Sequence, residues 1–183
     1  MKPDRGGAAR RFVVACLTGS AVLVAAATTI AATVDVRLVQ TPEGNAYFDP
    51  AGIHIAPGDT LRWVQVSGFH SITAYHPRND DHELRIPESA EPWDSDILLA
   101  QYPKQGATFE HVFTVQGVYD YFCKPHEMAG MVGRVVVGEP GDGPGTKPFG
   151  YAPNEHWKAV PDDASKAFPP VAEIMQNGTV RAR

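Results

Sequence analysis

The chain has 183 residues, 43% of them hydrophobic, which is enough for one domain with a real core plus extensions. Its formal net charge is −5, and residues 1–32 hold four of the 16 basic side chains but only one of the 21 acidic ones, so the remainder is more acidic still. That balance argues against nucleic acid and anionic lipid as partners and suits a basic protein partner.

The N-terminus reads as an export signal. Arg10-Arg11 precede an apolar run from Phe12 to about Ala27, and the small residues Ala31-Ala32 follow where a signal would be cut. Arg10-Arg11-Phe12 loosely resembles a twin-arginine signal. Residues 1–32 are therefore expected to be removed and the protein to be periplasmic or otherwise exported from a prokaryotic cell. A membrane association is expected only if the run is retained as an anchor, for which it is about long enough. Val13 to Cys16 looks like a lipid-attachment box, but too few apolar residues precede Cys16 to form a signal core. Once the signal is gone Cys123 is the one cysteine left, so no internal disulfide can form.

Thr33 to Gln40 alternates polar and apolar residues and predicts a strand with one buried face. A turn at Pro42–Asn45, a short strand Gly52–Ala56 and a second turn at Pro57-Gly58-Asp59 follow. His54 lies between two isoleucines and is expected on the exposed face. Thr60 to Val66 is the next strand, and Phe69-His70 stands where it gives way to another, at one end of a sandwich.

Residues 76–102 are polar, broken by prolines and strongly charged, and a connection this long inside a compact domain is usually functional or partly disordered. His76, Asp80, Asp81, His82 and Glu83 have no spacing that defines a metal geometry, so a solvated acidic loop is the expectation. Ile86, Trp93, Ile97, Leu98 and Leu99 could pack this loop back onto the domain. Ala107 to Val115 alternates again, with Phe109, His111 and Phe113 on one side; His111 reads as a packed or edge histidine. In the following strand Tyr119, Tyr121 and Cys123 share one face, predicted inward, and Val118, Asp120 and Phe122 the other.

The stretch Tyr121-Phe122-Cys123-Lys124-Pro125-His126-Glu127-Met128-Ala129-Gly130-Met131 puts a thiol, an imidazole and two thioethers in one short turn. A thiolate, neutral imidazoles and a weak axial thioether are the ligand set of a blue-copper centre. The spacing Cys-x2-His-x4-Met lets one loop supply Cys123, His126 and Met131, and His70 is the candidate for the fourth position. Met128 is the rival to Met131, but one residue after His126 leaves little room to swing it onto the axis.

Val132 to Gly138 closes the domain. About seven or eight short strands, regular turn signals and no helical period predict an all-β, Greek-key antiparallel sandwich. Residues 33–139 form that domain in this reading, and 140–183 a linker and C-terminal extension. Glu139 to Pro148 is a linker by composition. Asp162–Phe168 and Pro170–Asn177 are candidate short helices, with Val171, Ile174 and Met175 on one face.

Gly117 to Gly133, preceded by Tyr47 to Trp63 and by Phe69-His-Ser-Ile-Thr-Ala74 in the same order and spacing, resembles the small blue-copper proteins of the cupredoxin family, plastocyanin, pseudoazurin and halocyanin. The resemblance covers roughly residues 34 to 138 and implies His70, Cys123, His126 and Met131 as ligands of one copper ion, cycling between Cu(I) and Cu(II). Two positions depart from the usual pattern. Ser71 stands where many members have Asn, and Lys124 where many have Ser or Thr, which puts in question the hydrogen bond that ties those two loops together.

These residues point to a protein that shuttles single electrons between transient redox protein partners, with no small-molecule substrate and no enzymatic activity. A copper carrier or storage module is the alternative reading. A copper oxidoreductase would need a second, open metal site.

Overall fold

The computed structural model describes residues 30–98, 107–141 and 154–182. The expected export signal, Cys16, Leu99 and most of the expected linker lie outside the described residues. Among those described, no helix is long and apolar enough to cross a membrane.

Among the described residues nine strands form two packed sheets: β1 (Thr33–Gln40), β2 (Ala46–Asp49), β3 (Gly52–Ile55), β4 (Thr60–Gln65), β5 (Thr73–Ala74), β6 (Thr108–Val112), β7 (Gly117–Phe122), β8 (Val132–Val137) and β9 (Thr179–Val180). One sheet runs β2-β1-β4-β6 and the other β5-β7-β8-β3-β9. Most neighbours are antiparallel; β1 with β4 and β3 with β8 run parallel. Inward residues of both sheets, among them Val36, Leu38, Phe48, Ile53, Leu61, Trp63, Tyr119, Tyr121 and Val135, build the main core. Its centre is aromatic: Trp63 and Tyr121 meet edge to face at 5.4 Å, and Trp93 stacks over His111 at 4.4 Å. Gly133 makes room for this packing, because a Cβ there would come within 2.6 Å of the Tyr121 ring.

The predicted faces of β7 hold. Tyr119, Tyr121 and Cys123 enter the main core while Val118 and Phe122 point to the opposite side. That opposite side is also dry, and every residue of β7 and β8 is buried. Its cover is the C-terminal extension, with α1 (Asp162–Ala167), α2 (Val171–Asn177) and β9. Ile174 of α2 packs with Val118, Val136 and Val180, and Ala164 and Phe168 pack with Tyr75, Phe122 and Val132. The face of Val171, Ile174 and Met175 thus serves its own domain.

Residues 75–98 are likewise tied down. Ile86 and Trp93 are buried, Leu98 is packed against the core, and Ile97 remains exposed. The segment pairs with the extension through His82 and Lys158, where Lys158 N–H donates to the Asp81 carbonyl at 2.7 Å. His54 is half-buried, with Nε2 2.9 Å from the Gly138 carbonyl.

Candidate metal centre

Cys123 directly follows β7, continues its inward face and caps a 3-10 turn, Lys124–Ala129, whose second residue is Pro125. Gly130 closes the turn at φ 82°, in the left-handed region that glycine enters without a Cβ penalty. Backbone bonds then lock the two ends of the loop together: Cys123 N–H donates to the Met131 carbonyl and Met131 N–H to the His126 carbonyl, each at 3.1 Å. His70 arrives from the loop between β4 and β5, and its carbonyl accepts from Leu98 N–H at 2.7 Å.

These elements bring together the residues singled out in the sequence. His70, Cys123 and His126 offer ligand atoms that all lie within 4.8 Å of one another, the one such group of His, Cys, Asp and Glu among the described residues. The Nδ1 atoms of His70 and His126 stand 3.6 and 3.4 Å from Cys123 Sγ. His70 Nε2 donates to the Ser67 carbonyl at 2.9 Å, which fixes the tautomer and leaves the Nδ1 lone pair facing the sulfur. Met131 is fully buried in the same cluster as Cys123, whereas Met128 is 75% exposed.

Electrostatics prepares the donors. Burial, and to a lesser degree the neighbouring His126, lowers the His70 pKa to about 4 even though the Ser67 carbonyl opposes the shift, so the ring is neutral and able to ligate. Burial pushes the Cys123 thiol up to about 11, so a metal entering here must displace its proton. Buried sulfur, two neutral imidazole nitrogens and a buried thioether form a soft, compact set that fits copper.

The tie between the two ligand loops is present. Lys124 N–H donates to Ser71 Oγ at 2.8 Å, so serine supplies the acceptor, and the backbone of residue 124 needs no particular side chain to donate. Ser71 N–H also faces Cys123 Sγ at 3.4 Å. The Lys124 ammonium pairs with Asp94, whose other oxygen accepts from Thr73 Oγ1 at 3.0 Å.

A family model described as copper binding proteins, plastocyanin/azurin family, matches residues 35–138. The chain belongs to this family. It is 34% identical over 95 residues to the chloroplastic plastocyanin of Tetradesmus obliquus, a match that spans 51% of this chain and 60% of that protein. Identity to the pseudoazurin of Methylorubrum extorquens is 28% over 132 residues, covering 70% of this chain and 79% of the relative. A solved pseudoazurin from Sinorhizobium superposes with a TM-score of 0.54 at 25% identity, over 80% of this chain and 98% of that one. This cupredoxin therefore carries a type 1 copper site, where His70, Cys123, His126 and Met131 cluster.

The other titratable candidates are placed elsewhere. His111 stacks on Trp93 and meets Phe113 edge to face at 4.8 Å, as a packed histidine. His82 is not a solvated loop residue: it is buried, with Nε2 3.2 Å from a Glu127 oxygen. Nothing in the local sequence signals that contact, because the partners stand 45 positions apart.

Proposed function

We propose that this cupredoxin is an exported carrier of single electrons in which His70, Cys123, His126 and Met131 ligate one copper ion. The observation that carries the reading is the convergence of both Nδ1 atoms on the Cys123 thiol in a site already buried and tied from three directions. Copper held there supplies a one-electron couple. The chain's own residues do the rest. His70 and Cys123 are closed off from water, and the Ser71–Lys124 bond locks their loops. A site with so little freedom changes shape little when its charge changes, which favours rapid electron exchange.

His126 is the outermost of the four, half-exposed. Phe69 lies 5.2 Å from its ring and is itself exposed, as is Met128, two residues after His126. Together with Pro125 and Ala129 they give the port an apolar surround suited to brief contact with a redox partner. Copper carriage is disfavoured because release would have to break buried, hydrogen-bonded ligands. An enzyme would need a second metal site, and both ring nitrogens of His82 are already engaged, by Glu127 and the Asn79 carbonyl.

The axial assignment predicts that Met131→Leu keeps the visible colour and raises the reduction potential, whereas Met128→Leu leaves the potential in place; voltammetry of both variants checks this. The export reading, with residues 1–32 as signal, 33–139 as the copper domain and 140–183 as linker and extension, predicts a mature N-terminus near Thr33. Mass spectrometry of protein from its native host measures it, and an intact Arg10-Arg11 segment in the membrane fraction would contradict it.

A further inference from the structure

We propose that Glu127 is a positioning residue for the outer imidazole, an inward tether that holds the 3-10 turn, and with it His126, in one place. The inference rests on the ligand assignment above. Glu127 follows His126 directly, yet its carboxylate turns away from solvent and reaches two side chains of the 75–98 segment. The Tyr75 hydroxyl donates to Oε1 at 2.8 Å, and His82 Nε2 lies 3.2 Å from Oε2. His82 Nδ1 is 2.9 Å from the Asn79 carbonyl, which can only accept, so Nδ1 donates there and the ring is held from both nitrogens.

The tether is anchored on rigid ground. The Tyr75 and His82 rings stack on Phe122, the residue before Cys123, at 4.5 and 4.4 Å. Tyr75 is fully buried, and Phe168 of the extension packs against it at 5.9 Å. The extension also closes the outer side of the loop: a Cβ at Gly130 would meet Ala167 Cβ and the Asp163 carbonyl oxygen, each at 3.4 Å. Three segments far apart in sequence thus meet behind the metal loop. Lys124 is secured by Asp94 at the start of the turn and Glu127 secures its middle, where no strand ladder reaches. Loss of the carboxylate frees the arc that carries His126 without touching any of the four ligands.

The test uses the full copper-loaded chain and three variants, Glu127→Gln, Tyr75→Phe and Ile174→Ala. Three quantities are read: the thiolate-to-copper band, the copper hyperfine splitting in the EPR spectrum, and the electron self-exchange rate from NMR line broadening. Glu127→Gln and Tyr75→Phe are expected to keep the band, shift the hyperfine splitting and slow self-exchange by about tenfold, the lower end of what loss of a supporting contact around a metal site costs. Ile174→Ala loosens α2 on the far side of β8 and lowers thermal stability, but should leave the splitting and the rate at wild-type values. Wild-type values in both Glu127→Gln and Tyr75→Phe would overturn the proposal, as would an equal shift in Ile174→Ala. If Glu127→Gln takes up no copper, Tyr75→Phe, which deletes one donor, decides alone. Absence of the band from the unmodified chain would contradict the ligand assignment instead, so the two failures are distinguishable.

Discussion

Cys123→Ser should abolish the intense absorption near the red end of the visible range that copper(II) gives with the wild-type chain. The colour arises from charge transfer out of a thiolate, and Cys123 is the one sulfur that two imidazole Nδ1 atoms face at 3.4 and 3.6 Å. A serine hydroxyl is hard, gives up its proton far less readily than a thiol, and offers no comparable donor orbital, so binding of Cu(I) should weaken as well. The fold should survive, because Cys123 sits in the core as a small apolar residue and serine is nearly its size. Absorption and EPR spectra of the copper-loaded variant, with circular dichroism as the control, measure the effect. Intact colour would place the copper elsewhere.

Asp120→Asn should produce the largest loss of stability. Asp120 lies in the middle of β7, fully buried, between two buried arginines. Arg134 Nε donates to Oδ1 at 2.6 Å and Arg85 Nε to Oδ2 at 2.8 Å. Phe168 lies over both guanidinium groups, at 5.0 and 4.9 Å, and Arg134 also donates to the Pro169 carbonyl at 3.0 Å. Removing this carboxylate leaves buried Arg134 facing buried Arg85, whose remaining carboxylate is Glu83 at 3.3 Å from its Nη1, and breaking a buried pair in this way costs about 3–5 kcal/mol. At this chain length that is a fall in Tm of roughly 10 °C.

The pH dependence follows from the same contacts. Burial alone would raise the Asp120 pKa, but the charges and hydrogen bonds of Arg134 and Arg85 outweigh it and hold the group below the usual 3.8. A lowered folded pKa means stability that is fully present above the unfolded value and lost as pH falls through the folded one. The gap between wild type and Asp120→Asn should therefore be full at neutral pH and shrink below about pH 4. Thermal melts of both proteins across that range check it, and a gap constant down to strong acid would contradict the role given to Arg134 and Arg85.

These two residues, one in β7 and the other just past its end, also show what could be read in the sequence. Cys123 announces itself because His126 and Met131 follow within a single turn, and a metal site whose ligands share a loop is local information. The alternation of Tyr119, Tyr121 and Cys123 likewise gives their shared face, and β1, β4 and β6 are legible from their own period of two. Asp120 was legible only as lying on the opposite face. That this face is dry depends on Phe168 and Ile174 returning from the end of the chain, and on Arg85 from a segment that reads as a solvated acidic loop. Glu127 is hidden for the same reason, since Tyr75 stands 52 positions away. The Ser71–Lys124 bond escaped because it uses a backbone N–H, which every residue but proline carries. The two-residue strands β5 and β9 are too short to carry a period at all.

The central claim, that this fold holds copper to move electrons and not to deliver the metal, is tested most directly by cyclic voltammetry of the copper-loaded chain, scanned repeatedly in the presence of a moderate Cu(I) chelator. A ligand set buried and locked before the metal arrives predicts a reversible one-electron wave whose amplitude persists from scan to scan. A wave that decays as copper passes to the chelator on reduction, or no reversible wave at all, would contradict it.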